Sequence, residues 1–153
     1  MGNIFNDDFR DFIETLNHYE VEYILVGGYS VILHGYSRTT GDLDIWVNKT
    51  IENYDRIKKA FHLFGMPLFD MTQFNFLENS DLDVFSFGRP PVSIDIMTEV
   101  KGLNFENTFK ESKIVKVENL SVRLIHYEHL LRAKKAAGRP KDLDDLENLS
   151  EGK

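Results

Sequence analysis

Asp42 and Asp44 open one apolar run, and Asp95 lies inside another, Ile94-Asp95-Ile96. Three carboxylates on two strand-like segments can hold a divalent metal ion. Upstream, Gly27 and Gly28 separate two apolar stretches. A glycine pair between a strand and a helix leaves no side chain in the turn, and a helix N-terminus favours an anion, so backbone N–H groups can approach a phosphate closely. A metal site beside a phosphate cradle is the equipment of nucleotide chemistry.

The elements that would position these groups follow from the pattern around them. Glu22 to Val26 is a short, β-rich apolar run, and the residues after Gly28 have the apolar density of a buried helix ending at Gly35. Ser37 to Gly41 reads as a polar loop. Asp42 to Val47 alternates acidic and apolar residues before becoming wholly apolar, as a strand entering a core does. With a period of two, Asp42 and Asp44 project from one face while Leu43 and Ile45 point to the other. Two like charges at that spacing repel unless a cation lies between them or one is protonated. Mg2+ suits the place, being a hard ion that takes one or two protein carboxylates plus phosphate oxygens. Asp95 sits in Val92 to Met97, a strand pattern in which a carboxylate is costly unless paired or bound to metal.

An Asp-x-Asp triplet alone is a weak signal. It occurs at Asp42/Asp44, at Asp81/Asp83 and at Asp142/Asp144, and the first is set apart by the glycine pair before it and Asp95 after it. Asp83 is the chief decoy, on an expected strand Asp81 to Phe87 that Gly88, Arg89, Pro90 and Pro91 join to Val92 to Met97. The plain alternatives are a solvated strand face for the acids, a salt bridge to an acid for Arg38, and a solvated basic helix end for Lys134 to Lys141. His126 and His129 are three apart but lack a third zinc ligand and the His-Glu-x-x-His pattern. No Gly-x-Ser-x-Gly elbow, Walker A loop or dinucleotide fingerprint is present.

Val26 to Ile45 together with Ile94 to Ile96 resemble the nucleotidyltransferase superfamily of DNA polymerase beta type. Its pattern is an apolar residue, Gly-Gly or Gly-Ser, an interval, Asp-apolar-Asp/Glu, and a third acid on a separate strand. Arg38-Thr39-Thr40-Gly41-Asp42-Leu43-Asp44 is similar to the Arg-x-Thr-x-Asp-x-Asp signature of the small bacterial minimal and abortive-infection-type members. Arg132 to Asp145, with Lys134, Arg139, Lys141 and Asp142, resembles the segment that closes those proteins. Many members carry Ser after the first Gly, where this chain has Gly28. Any hydroxyl contact to the γ-phosphate then comes from Ser30 or is absent.

That resemblance implies an α+β fold, a nucleotidyltransferase-like mixed β-sheet with helices packed against it plus short C-terminal helices. It implies transfer of a nucleoside monophosphate from an NTP to an acceptor hydroxyl, with two Mg2+ ions (Mn2+ as an alternative) held by Asp42, Asp44 and Asp95. Gly27 and Gly28 would cradle the β and γ phosphates, and Arg38, Lys134 and Arg139 would offset the charge of the leaving pyrophosphate. The expected acceptor is tRNA or a protein side chain, in a toxin–antitoxin or phage-defence setting with a cognate antitoxin or partner protein. A small molecule such as an antibiotic is the second expectation. A nucleotide-sensing or partner-binding module without turnover is the alternative from another class, and a metal-dependent sugar transferase would not need the glycine turn.

Length and composition set the frame. A chain of 153 residues is expected to form one domain, with an N-terminal helix in 1–21, the catalytic core in 22–100, and a hairpin and C-terminal helices in 101–153. Twelve Phe and six Tyr supply its core, and the absence of cysteine excludes disulfides and thiolate metal sites. A net charge of −7 argues against a broad nucleic-acid footprint, although Arg132, Lys134, Lys135, Arg139 and Lys141 concentrate positive charge near the C-terminus. Met1 to Asp8 lacks the basic and apolar regions of a signal peptide, and no apolar run approaches a membrane span, so a cytoplasmic protein with no membrane association is expected.

Elsewhere, Phe9, Phe12, Ile13, Leu16 and Tyr19 predict an amphipathic first helix, and Ile51 to Phe64 a second, stopped by Gly65 and Pro67. Met66 to Asn79 reads either as a short helix or as a loop over the site. Ser112 to Val117 and Leu120 to Leu124 predict a hairpin turning at Glu118-Asn119. Helical spacing resumes at Tyr127, Leu130 and Leu131, breaks at Gly138 and Pro140, and returns through Leu143, Leu146 and Leu149.

Overall fold

The computed structural model describes residues 4–89 and 92–151. Pro90 and Pro91 of the expected connection between two strands, residues 1–3 and residues 152–153 lie outside the described residues. Helix α1 (Asp7–His18) begins where Asn6 caps it, its side chain accepting from the Phe9 N–H at 2.8 Å, and buries Phe9, Phe12, Ile13 and Leu16. Helix α3 (Ile51–Phe64) is capped by Thr50 and ended by Gly65, whose φ of 89° suits a residue without a Cβ. The two helices lie against each other through Phe12, whose ring meets Phe61 at 5.5 Å and Phe64 at 5.3 Å, both edge-on.

These helices cover a six-stranded mixed sheet ordered β3-β4-β2-β1-β6-β5. Its strands are β1 (Tyr23–Val26), β2 (Asp42–Val47), β3 (Val84–Arg89), β4 (Val92–Met97), β5 (Lys113–Val117) and β6 (Leu120–Leu124). β2 runs antiparallel to β1 but parallel to β4, and β1 runs parallel to β6. The C-terminal hairpin thus completes the same sheet that carries the acids. Its turn places Glu118 and Asn119 at φ 53° and 71°, the left-handed pair that a tight two-residue hairpin requires.

The fold is α+β, with helices packed on the sheet and two C-terminal helices, α6 (Tyr127–Ala137) and α7 (Pro140–Glu151). Gly138, at φ 65°, separates them. The expected strand from Asp81 begins later, at Val84. Asp83 precedes it, exposed, with its carbonyl accepting from the Thr98 N–H at 2.9 Å. Met66 to Asn79 contains a short helix, α4 (Gln73–Leu77), that packs on α3 through Tyr54 and Phe76. Helix α5 (Phe105–Glu111) falls in a stretch for which the sequence pattern gave no element, and its Phe105 covers Trp46 edge-on at 5.2 Å. Among the described residues no helix is long and apolar enough to cross a membrane.

Candidate active site

Strand alternation decides which side chains meet. On β2, Leu43 and Ile45 are fully buried on one face, while Asp42 and Asp44 stand half-buried on the other. β4 lies parallel and in register, so Ser93 pairs with Asp42 and Asp95 with Asp44. The three acids are brought together on one sheet face. Asp42 Oδ1 accepts from Ser93 Oγ at 2.7 Å, leaving Asp44 and Asp95 as adjacent carboxyls. Burial, then the charges of Asp95 and Asp42, then a hydrogen bond with Asp95 push the Asp44 carboxyl up to about 6, against the opposing pull of Lys134.

The glycine pair does two separate things. Gly27 has φ 70°, and a Cβ built there would overlap the Asp44 carboxylate. Its bare Cα therefore gives Asp44 its place. Gly28 is buried instead against the following loop, where a Cβ would fall 2.6 Å from Thr40 Oγ1 and 3.3 Å from Arg38 Nη2. Between them they start α2 (Gly27–Leu33) directly from the end of β1. Ser30 is fully buried and its hydroxyl donates to the Gly27 carbonyl at 2.6 Å, so it braces the turn and does not face the cavity.

That cavity, about 340 Å3, is lined on the sheet side by Gly27, Asp42, Asp44 and Asp95 and on the helix side by Lys134, Arg139, Lys141 and Asp142. Apolar groups such as Val84, Met97, Leu130 and Ala133 complete the wall. Its size and mixed lining are those of a small-ligand site. A larger hollow of about 580 Å3 beside Lys58, Phe61 and His62 holds a single carboxylate, Asp55, so volume does not identify the site.

Of the predicted cations Arg38, Lys134 and Arg139, the last two line the helix side of the cavity, and all three are engaged by acids of α7. Arg38 lies outside the cavity lining and clasps Asp145: Nη2 donates to Oδ2 at 3.0 Å, and Nε sits 2.8 Å from Oδ1 with its N–H directed elsewhere. Lys134, 7% exposed, lies 2.9 Å from Asp145 Oδ2 and donates to Asp142 Oδ1 at 3.2 Å. Arg139 Nε donates to Asp142 Oδ2 at 2.6 Å while its side chain stays 60% exposed. Burial pushes the Asp142 carboxyl up, yet the hydrogen bonds from Arg139 and Lys134 outweigh it and hold it below the usual carboxylate range.

Asp142 and Asp145, although part of the segment that carries the C-terminal resemblance, are given no place at the site by the sequence pattern. Leu143, Leu146 and Leu149 suggested an apolar inner face for α7, but Leu143 is 50% exposed and the acids are 1% exposed. The inward positions are Asp142, Asp145 and Leu149, spaced three and four apart. Reading that spacing together with the cations at 134 and 139 was the signal available.

Carboxylate oxygens fit a hard divalent cation, and the space that Gly27 leaves beside Asp44 is a cradle that any Cβ would fill. Among the described residues no three such side chains already converge as a ligand set.

The family described as "Nucleotidyltransferase of unknown function (DUF6036)" matches residues 6–150. No curated protein matches the chain in sequence. Among solved structures, a candidate nucleotidyltransferase of Thermotoga maritima is similar with a TM-score of 0.58 and 14% identity, over 95% of this chain and 91% of that one. The lincosamide antibiotic adenylyltransferase LnuA, in its lincomycin-bound form, gives 0.56 and 17% over 97% and 98%. An antigenic nucleotidyltransferase-like protein of Paracoccidioides brasiliensis gives 0.54 and 13% over 92% and 72%. At such identities the likeness is one of fold.

Proposed function

We propose, from the premise that the chain belongs to the DUF6036 family of nucleotidyltransferases, that it transfers a nucleoside monophosphate from an NTP to an acceptor hydroxyl. The observation that carries this reading is the register of Asp44 with Asp95 beside Asp42, facing Lys134 and Arg139 across one cavity. The acceptor oxygen would attack the α-phosphorus, and the bond to the bridging oxygen would break, that oxygen leaving with its electron pair on pyrophosphate. Asp95, nearest Asp44, would take the acceptor's proton. Arg139, exposed at the cavity wall, would neutralise the departing charge, with Lys134 fixed behind it.

The lining sets four carboxylates, Asp42, Asp44, Asp95 and Asp142, against three cations, Lys134, Arg139 and Lys141. A polyphosphate chain is therefore repelled unless it arrives with counter-cations. Asp42, Asp44 and Asp95 would hold Mg2+ or Mn2+. Such an ion, when bound, supplies charge neutralisation and a lowered pKa at the acceptor hydroxyl.

The motif from Arg38 to Asp44 supports placement near the minimal and abortive-infection-type members, with tRNA or a protein side chain as acceptor and a toxin–antitoxin or phage-defence role. A small hydroxyl compound is the second reading, favoured by the net charge of −7 and by mutual coverage with LnuA of 97% and 98%. Incubating the pure protein with each α-labelled NTP, Mg2+ and cell lysate, then separating RNA, protein and small molecules, tests both. Label in RNA or protein supports the first, and a new labelled small molecule distinct from the NTP and its hydrolysis products supports the second. Release of labelled pyrophosphate from no γ-labelled NTP under any condition would remove the enzymatic reading.

A further inference from the structure

Helix α7 presents to the interior two carboxylates and one leucine, Asp142, Asp145 and Leu149. Buried ion pairs seldom stabilise a fold more than apolar residues of the same size would, so stability alone is a poor reason for this choice. Asp145 does not line the cavity itself, yet its Oδ2 sits between Lys134 Nζ at 2.9 Å and Arg38 Nη2 at 3.0 Å. One oxygen thus ties α6 to the loop between α2 and β2, at a separation of 107 residues from Arg38. The residue just before it on the same helix, Asp144, accepts from the Tyr36 hydroxyl at 3.0 Å and fastens the same loop.

We propose that Asp145 is a positioning residue for phosphate binding: its carboxylate, with Asp142 beside it, fixes the Lys134 ammonium in the cavity wall opposite Asp44 and clamps Arg38 against Gly28. The inference rests on the nucleotide-site reading above. A lysine on a four-carbon stem would otherwise sample many rotamers, and ordering it when the ligand binds weakens binding. Held between two buried acids, it is ordered beforehand. Asp142 does the same for Arg139 through both carboxylate oxygens, at 2.6 Å from Nε and 3.2 Å from Nη2. The cations facing the phosphate chain are thus set by a template of two carboxylates, Asp142 at the cavity wall and Asp145 behind it.

Inorganic tripolyphosphate with Mg2+ is the probe, because it tests the phosphate side without any choice of base. Mn2+ binding, followed by its paramagnetic resonance signal, reports separately on the three acids across the cavity. In Asp145→Asn, tripolyphosphate affinity should fall at least about tenfold, the loss of one charge-assisted contact, while Mn2+ affinity stays unchanged. Asp145→Glu, which keeps the charge and shifts it by one methylene, should restore part of the loss. In an Arg38→Met/Lys134→Met background, adding Asp145→Asn should change tripolyphosphate affinity no further.

Equal tripolyphosphate affinity in Asp145→Asn and the parent would overturn the inference, as would a parallel fall in Mn2+ and tripolyphosphate affinity, which marks a purely structural role. If Asp145→Asn does not fold, Asp145→Glu carries the same pair of measurements: weaker tripolyphosphate with unchanged Mn2+ supports the template, and unchanged tripolyphosphate overturns it. A parent protein that binds neither tripolyphosphate nor any NTP would instead overturn the nucleotide-site reading on which the template depends.

Discussion

Asp44 and Asp95 occupy paired positions on the parallel strands β2 and β4, and the Asp44 carboxyl is pushed from 3.8 up to about 6. Burial is the largest cause, followed by the neighbouring charges of Asp95 and Asp42. A carboxyl that binds its proton more tightly in the folded chain than in the unfolded one favours folding at low pH. Its contribution is fully present below about 3.8 and is lost as pH rises through about 6. At neutral pH the metal-free site is therefore a local weakness, and a cation is one way to relieve it.

Melting in EDTA across this pH range should expose that weakness. The parent protein should lose stability between pH 5 and pH 7.5 relative to Asp44→Asn, which cannot ionise at this position. The rise from 3.8 to about 6 bounds the gap at about 3 kcal/mol. Identical pH profiles for the two proteins would mean that Asp44 titrates normally.

Gly27 and Gly35 give a matched pair for the glycine turn. Both have positive φ, 70° and 113°, so an alanine at either incurs backbone strain of about 1–3 kcal/mol. They differ in what the methyl meets: the Asp44 carboxylate at position 27, and nothing within 4 Å at position 35. Gly35→Ala should lower the melting temperature and leave transfer intact. Gly27→Ala should displace Asp44 as well, and a misplacement of about 1 Å in a catalytic group costs about 10²-fold in rate. Equal transfer rates in the two variants would sever Gly27 from the site.

The elements that carry the acids were legible because local chemistry and tertiary demand agree there. Asp42 and Asp44 alternate with Leu43 and Ile45, Thr50 and Gly65 bracket α3, and Glu118-Asn119 take the left-handed backbone of a tight turn. What escaped was long-range. The parallel pairing of β1 with β6 joins Leu25 to Leu124, and no local pattern specifies it. Helix α5 is short, begun by the Asn104 cap and turned inward by Thr108, with too few apolar positions to show a period. The cations at 38, 134 and 139 were recognised as charges, but their partners lie on a helix whose leucines pointed to a different inner face. Ser30, expected from its place in the turn to reach a phosphate, gives its hydroxyl to the Gly27 carbonyl, a local bond that the residue order alone does not specify.

The orientation of α7 makes its own prediction. Leu149 is 2% exposed and Leu143 50%. Leu149→Ala should cost about 2–5 kcal/mol by removing buried contacts and leaving a cavity, whereas Leu143→Ala should stay within about 0.5 kcal/mol. Urea melts of the two variants read this directly. Comparable losses would mean that the helix lies rotated, with Leu143 inward, and would take Asp142 and Asp145 out of their places with it.

The last prediction separates the site from its decoy. Asp95 lies in register with Asp44 on the half-buried face of β4, whereas Asp83 precedes β3, exposed, with no acid paired to it. Asp95→Asn keeps the shape and removes one charge, so the protein should fold at least as well, since it also relieves the charge that pushes the Asp44 carboxyl up. Substantial NTP binding should remain, because Asp42 and Asp44 still offer two carboxylates to the nucleotide's cation. Transfer should fall by about 10²- to 10⁴-fold, the usual worth of a group that takes a proton in the reacting complex. Asp83→Asn should change neither binding nor transfer. Loss of transfer in Asp83→Asn with normal transfer in Asp95→Asn would place the third acid before β3 instead of on β4, and full transfer in both would leave Asp42 and Asp44 as the only acids the chemistry uses.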